Sequence, residues 1–187
     1  MRNRILLIGR NPIILSDLAE ALTQEGLWVQ TTSLVDEAIE TINGQDFDLI
    51  ALGRGIDELT NQRLKSHFLS QNKELLFVDG LVPIIPLLVK QITVALATAR
   101  GLNENLTCFG YDSCEGIVLV AVDAVCQLAV DLYQLDASYS THQYTLISER
   151  VNPGEYTFSV PPQQIDCTRI NLLAAEVNQN ELAIIEL

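Results

Sequence analysis

Over its first hundred residues the chain alternates short apolar runs with longer stretches that are apolar on one side only. Residues 5–8 (Ile-Leu-Leu-Ile) read as a buried strand. Pro12 then stands where a helix can start, and residues 13–25 place Ile14, Leu18, Ala21 and Leu22 on one face, with Gly26 as the stop. A strand at 28–32 follows. Ser33 and Asp36 make an approximate capping box for a helix running to Ile42, which Asn43-Gly44 ends. Residues 47–52 form a third strand, broken by Gly53-Arg54-Gly55. Residues 58–69 predict a helix, 75–78 a fourth strand ending at Asp79-Gly80, and 83–99 a long apolar helix. The order β-α-β-α-β-α-β-α implies a parallel, doubly wound α/β sheet with helices on both faces. Ligands of such sheets bind beyond the carboxyl ends of the strands.

The pattern changes after residue 100. Residues 101–107 are polar and read as a linker, so the chain divides into 1–100 and 108–187. Apolar and alternating runs then recur at 117–122, 127–135, 143–148, 156–160, 169–177 and 182–186. Asn152-Pro153-Gly154, Pro161-Pro162 and Asn178-Gln179-Asn180 separate several of them. Short strands at this spacing predict an all-β antiparallel sandwich. Residues 177–182 read as a closing hairpin.

Charge sharpens the division. Of a net charge of −13, residues 1–100 contribute −3 (9 Lys/Arg against 12 Asp/Glu) and residues 101–187 contribute −10 (2 against 12). A second half this acidic repels a phosphate backbone, and the first half holds no basic cluster, so nucleic acid is not expected as a partner. Hydrophobic residues at 48% supply a core. No apolar run reaches the roughly 18 residues of a membrane span; the nearest candidate, 81–99, contains Pro83, Pro86, Lys90 and Gln91. With no signal-peptide pattern at the start, the expectation is a soluble, cytoplasmic protein without a membrane partner. Cys108, Cys114, Cys126 and Cys167 show no C-x-x-C spacing. They are expected as buried small apolar residues rather than as a zinc site or a disulfide pair.

The first loop, Gly9-Arg10-Asn11-Pro12, poses the chemical question. A dinucleotide site needs G-x-G-x-x-G there, and a P-loop needs G-x-x-x-x-G-K-[ST]; neither is present. Order and length instead resemble a bacterial response-regulator receiver domain over residues 1–78. The resemblance lies in the strand-loop-Pro opening, the helix ending at Gly26, Glu37-Ala38, and Asp46-Phe47-Asp48-Leu49-Ile50. It implies a flavodoxin-like fold and a place in two-component signalling or phosphorelay. It also implies a site built from two acids after the first strand, an Asp after the third, a Ser or Thr after the fourth and a later Lys. Those positions here read Gly9 and Arg10, Gly53, and Asp79, and the Lys-Pro has no counterpart. Too little chain separates Asp79 from the last helix for another helix and a fifth strand, so the domain reads as truncated. A hard divalent cation needs oxygen ligands. The degenerate phosphorylation site is therefore expected to hold no metal and no other cofactor, and to accept no phosphoryl group.

Two further expectations attach to this site. Arg10 and Asp79 would flank a cleft floored by Gly53, where an ion pair would close the former active site. Alternatively, Arg10 and Arg54 would hold a small anionic ligand there. A surviving phosphoacceptor at Asp48 or Asp57 is disfavoured, since one falls too early and the other too late. The helix at 83–99 is apolar on more than one face. Ile85, Leu88, Val89, Ile92 and Leu96 are expected at an interface, most simply that of a homodimer; receivers commonly dimerise through their last strands and helices.

The second half resembles small Ig-like β-sandwiches through Val151-Asn152-Pro153-Gly154-Glu155-Tyr156-Thr157-Phe158 and its closing hairpin. Such modules bind or space rather than catalyse. Asp112, Glu115 and Asp123 do not match a calcium loop and read as a solvated acidic surface. His67 and His142 lack a nucleophile at a telling spacing. The whole predicts no enzyme. It predicts a pseudo-receiver that acts in signalling or as a scaffold through protein–protein contacts, with a small-anion binder as the alternative.

Overall fold

The computed structural model describes residues 3–80, 83–99, 105–160, 165–166 and 168–187. The chain divides into two units, Met1–Leu96 and Ala97–Leu187. In the first unit the elements are β1 (Arg4–Ile8), α1 (Pro12–Gln24), β2 (Trp28–Thr32), α2 (Ala38–Thr41), β3 (Leu49–Leu52), α3 (Glu58–Gln71), β4 (Leu76–Asp79) and α4 (Ile85–Thr98). All three strand pairings are parallel, in the order β2-β1-β3-β4. This is the flavodoxin-like order without its fifth strand.

Both faces of the sheet are covered. Ile5, Leu7, Leu49, Ala51 and Val78 point to one side, where Leu15, Leu18 and Leu22 of α1 and Leu88, Ile92 and Leu96 of α4 meet them. Leu6, Ile8, Ile50 and Leu52 point to the other, against Ala38 of α2 and Leu64 and Phe68 of α3. Burial on both faces explains why β1 and β3 are continuous apolar runs without alternation.

The second unit contains β5 (Leu106–Asp112), β6 (Ile117–Val122), β7 (Cys126–Leu135), β8 (Thr141–Val151), β9 (Gly154–Ser159), β10 (Ile170–Val177) and β11 (Glu181–Glu186). They form two antiparallel sheets, β5-β6-β9 and β11-β10-β7-β8. Val118, Val120 and Val122 of β6 share one core with Leu128, Val130 and Leu132 of β7 and with Leu173, Ala175 and Val177 of β10. Along β6 every second residue is buried, the alternation visible in the sequence, whereas β7 from Val130 and β10 from Asn171 to Ala175 are buried continuously. Asn178 and Gln179 take φ 51° and 60° in the β10–β11 turn, and Asn178 Oδ1 accepts the Gln127 N–H at 2.9 Å. Both sheets are also tied at their ends: Glu181 accepts hydrogen bonds from the main chain of Asn105 and Leu106.

Four expectations need correction. The helix foreseen from Ser33 to Ile42 is only Ala38–Thr41. Asp36 turns to Arg10 instead of capping, and Thr32 Oγ1 takes the Leu34 N–H, so the segment starts as turns. The third strand begins at Leu49, because Gly44–Asp46 form a single 3₁₀ turn whose last bond is Phe47 N–H to Gly44 O. Part of the expected linker is strand, since β5 starts at Leu106; residues 101–104 lie outside the described residues. Cys126 is buried as expected, but Cys108 and Cys114 are exposed, on β5 and in the β5–β6 turn. Cys167 lies outside the described residues.

Candidate functional site

Three neighbouring strands of the first sheet, β1, β3 and the edge strand β4, are each followed by glycine. Ile8, Leu52 and Asp79 stand in one row of the register, and Gly9, Gly53 and Gly80 follow them. The ladder continues through this row: Gly9 N–H donates to Thr32 O, Gly53 N–H to Ile8 O at 2.9 Å, and Gly80 N–H to Leu52 O at 2.8 Å. The main chains approach closely. A Cβ on Gly53 would lie 3.4 Å from Gly9 Cα, and one on Gly80 would lie 3.3 Å from Leu88 Cδ2. The floor of the expected cleft is thus main chain, packed from one side by Leu15 and Leu88.

Around this floor the charged side chains pair differently from the expectation. Arg10 Nε donates to Gly55 O at 3.2 Å, and its guanidinium lies 3.8 Å from Asp36 Oδ2 in the loop after β2. Asp79 is held by α3 instead: Lys65 Nζ lies 2.6 Å from Oδ2, and Asn61 Nδ2 donates to Oδ1 at 2.8 Å. The expected Arg10–Asp79 pair is not formed. Each group finds a nearer partner, from the β2–α2 loop in one case and from one side of α3 in the other. Burial pushes the Asp79 carboxyl up, but the hydrogen bonds from Lys65 and Asn61 and the Lys65 charge outweigh it, so its pKa lies below the usual carboxylate value.

The remaining acids serve structure. Asp57 is the N-cap of α3 and accepts the Thr60 N–H at 3.0 Å; that bond and the Thr60 side chain lower its pKa. Asp48 lies before β3, at the opposite end of the strand from Gly53, and accepts the Arg4 N–H at 2.7 Å. The four residues of β3 separate it from Gly53, five steps or about 16 Å at the usual rise. Asp112 closes the β5–β6 turn by accepting from Cys114 and Glu115 N–H. Among the described residues no group of three or more His, Cys, Asp and Glu converges on a point that could hold a metal ion. His67 contacts Gln71 and the edge of Phe68, and His142 faces Asp136 at 3.4 Å.

The helix stripe expected at an interface is largely interior. Leu88, Ile92 and Leu96 are buried in the core they share with α1 and the sheet, and Ile85 and Val89 are half-buried against it. That helix is apolar because it covers the sheet face beside α1. Sequence reasoning missed Lys65, Asn61, Asp36 and Gly80. The first two had a signal in their i, i+4 spacing on α3, which sets them on one side of the helix.

No family model matches the sequence, and no curated protein matches it. Among solved structures the chain is similar to the non-phosphorylated receiver domain of HemR from Leptospira biflexa. Identity is 19%, coverage is 55% of this chain and 98% of that one, and the TM-score is 0.41. It is similar to the receiver domain of the hybrid histidine kinase CckA at 20% identity, over 50% of this chain and 98% of that one, with TM-score 0.38. A third likeness is to the Pseudomonas fluorescens alkylpurine DNA glycosylase AlkC, at 12% identity over 92% of this chain and 44% of that one, with TM-score 0.31. Likenesses of this size carry no activity across. The class of the first unit rests on its own strand order and two-faced helix cover: a flavodoxin-like α/β domain, followed by an all-β unit of antiparallel sheets. No helix among the described residues is long and apolar enough to cross a membrane.

Proposed function

We propose that the chain is a pseudo-receiver joined to an Ig-like sandwich, a non-catalytic signalling or scaffold protein that works through contacts with other proteins. One observation carries the reading. Where a receiver needs carboxylates at the ends of its first and third strands, this chain has Gly9, Arg10 and Gly53, and the carboxylate after them, Asp79, is neutralised by Lys65. Arg10 would repel a divalent cation, and Gly53 has no oxygen to accept a phosphoryl group. The strand order supports the Ig-like half of the reading. The second unit places its first, second and fifth strands in one sheet and its seventh, sixth, third and fourth in the other. The chain crosses between sheets at Asn152-Pro153, as Ig-type sandwiches do.

Treatment with acetyl phosphate and Mg²⁺ followed by intact-mass measurement tests the reading. The expected result is an unchanged mass. A phosphoryl adduct mapped to Asp48, Asp57 or Asp79 overturns it. A melting-temperature rise with inorganic phosphate that Arg10→Ala abolishes would favour small-anion binding instead.

A further inference from the structure

The sheet of the first unit stops at β4, and the way it stops has a consequence. Leu76 N–H donates to Asp48 O at 3.1 Å and Gly80 N–H to Leu52 O at 2.8 Å. Successive residues of a strand point their main-chain groups to opposite sides. The N–H and C=O of Phe77 and Asp79, and the Leu75 carbonyl, therefore point away from β3. Among the described residues these groups make no further main-chain hydrogen bond. A fifth strand would take them; the chain turns instead into α4.

Edges of sheets are normally blunted by charge, proline or a bulge. The long edge strand β8 carries these devices: its register with β7 shifts at Val130/Asp131, and Glu149 and Arg150 lie along it. The other edge of the first sheet, β2, carries Gln30, Thr31 and Thr32. Residues 75–78 of the β4 edge are Leu-Leu-Phe-Val, without charge, proline or bulge.

We propose that β4 pairs antiparallel with β4 of a second copy, so that two chains share one eight-stranded sheet. The sequence of the edge is self-complementary for a two-fold centred on Phe77. Phe77 would face Phe77 of the second copy as a pair exchanging both N–H···O bonds, and each Asp79 N–H would reach the opposite Leu75 carbonyl. The side chains match on both faces. Phe77 packs on the α3 side, so the two rings meet there, while Leu76 meets Val78 of the second copy on the α1 and α4 side. Glu74 and Asp79 fall at the ends of the seam and leave its middle apolar. Ile85 and Val89 of α4 are half-buried against the core to which Leu76 also packs. The inference does not depend on the fate of the Gly53 site.

Light scattering on the full chain, with hydrogen exchange read at single amides, tests the pairing. The expected mass is twice 20.7 kDa. The Phe77 and Asp79 amides are expected to be protected at high protein concentration and to lose that protection on dilution. Phe77→Pro removes the outward N–H without touching the β3 ladder, and should give a folded single-chain mass by circular dichroism and scattering. Phe77→Ala loses the same ring but keeps the N–H, and should still pair. A single-chain mass for the native protein overturns the proposal. So does a dimer whose Phe77 and Asp79 amides exchange freely, or protection that does not change with concentration.

Discussion

The two ends of the first sheet are built on opposite plans. At the amino end, side chains from three strand starts hold one another. Arg4 N–H donates to Asp48, and Asp48 N–H returns to Arg4 O. The Arg4 guanidinium lies 4.8 Å from the centre of the Trp28 ring, 5.9 Å from that of Phe47, and 3.7 Å from Asp46. At the carboxyl end the strands meet through main chain alone, at Gly9, Gly53 and Gly80, and the charged side chains pair outward with the loops and α3. In this fold the carboxyl end is where ligands bind. The amino end is thus held by side chains, and the carboxyl end by main chain with its charges turned outward.

Glycine substitutions at the two ends give the largest contrast. Gly44 opens the 3₁₀ turn at the amino end, and its N–H donates to Gln71 Oε1 at 2.5 Å. An added Cβ would come to 2.9 Å from that oxygen and 3.0 Å from Phe68 Cδ1, and the Phe68 ring is fixed in the core. Gly44→Ala is expected to destabilise the domain by about 1–3 kcal/mol in denaturant titration, the usual cost of overpacking. Gly53→Ala meets only contacts of 3.4 and 3.5 Å, on Gly9 Cα and Ile8 O. It should change stability by less than about 0.5 kcal/mol. Equal losses at both positions would show that the glycine row is as tightly specified as the amino end.

Removing the ring at the amino end comes next. Trp28 is 42% exposed yet packs against Phe47 at 6.1 Å and beneath Arg4. Trp28→Ala loses a half-buried ring, a ring pair and a cation–π contact, and should cost about 1–2 kcal/mol by the same titration. Arg10→Ala, which removes the exposed pair to Asp36, should cost at most about 1 kcal/mol. If Arg10→Ala proved the more damaging of the two, the carboxyl end would be the structurally loaded one and the comparison would reverse.

Much of this architecture is legible in the chain because it rests on local patterns. The β2 and β6 boundaries read from the sequence are those found, since strong turn residues or a change of polarity flank both runs. β5 was illegible for a physical reason. Thr107, Cys108, Gly110 and Asp112 interrupt its apolar pattern, and a register shift between Leu106 and Cys108 breaks the alternation that would betray a strand. The site divided along the same line. Gly9 and Gly53 could be read, because each follows its apolar run directly; Gly80, which stands behind Asp79, was missed. The partners of Arg10 and Asp79 could not, because they depend on how the β2–α2 loop and α3 lie over the strand ends. The apolar excess of α4 was visible, but not that a sheet face of its own chain would use Leu88, Ile92 and Leu96.

The acid response of Asp79 is a small effect that probes the carboxyl end by itself. Lys65 and Asn61 hold this carboxyl below its ordinary pKa against the opposing push of burial. A carboxylate whose pKa is lower in the folded chain contributes stability that is present above its unfolded pKa, near 4, and is lost as pH falls through the lower folded value. Asp79 is half exposed, so solvent screening limits the contribution to about 1 kcal/mol at most. Asp79→Asn should therefore lower stability slightly at neutral pH and flatten its decline below about pH 4, leaving the losses from the other lowered carboxyls, Asp57, Asp136 and Asp166, in place. Lys65→Met should reproduce that flattening by removing the charge that holds the carboxyl down. If Lys65→Met left the acid limb of the stability profile unchanged, Lys65 would be an idle surface charge, and the neutralised carboxylate at the end of β4 would lose its physical basis.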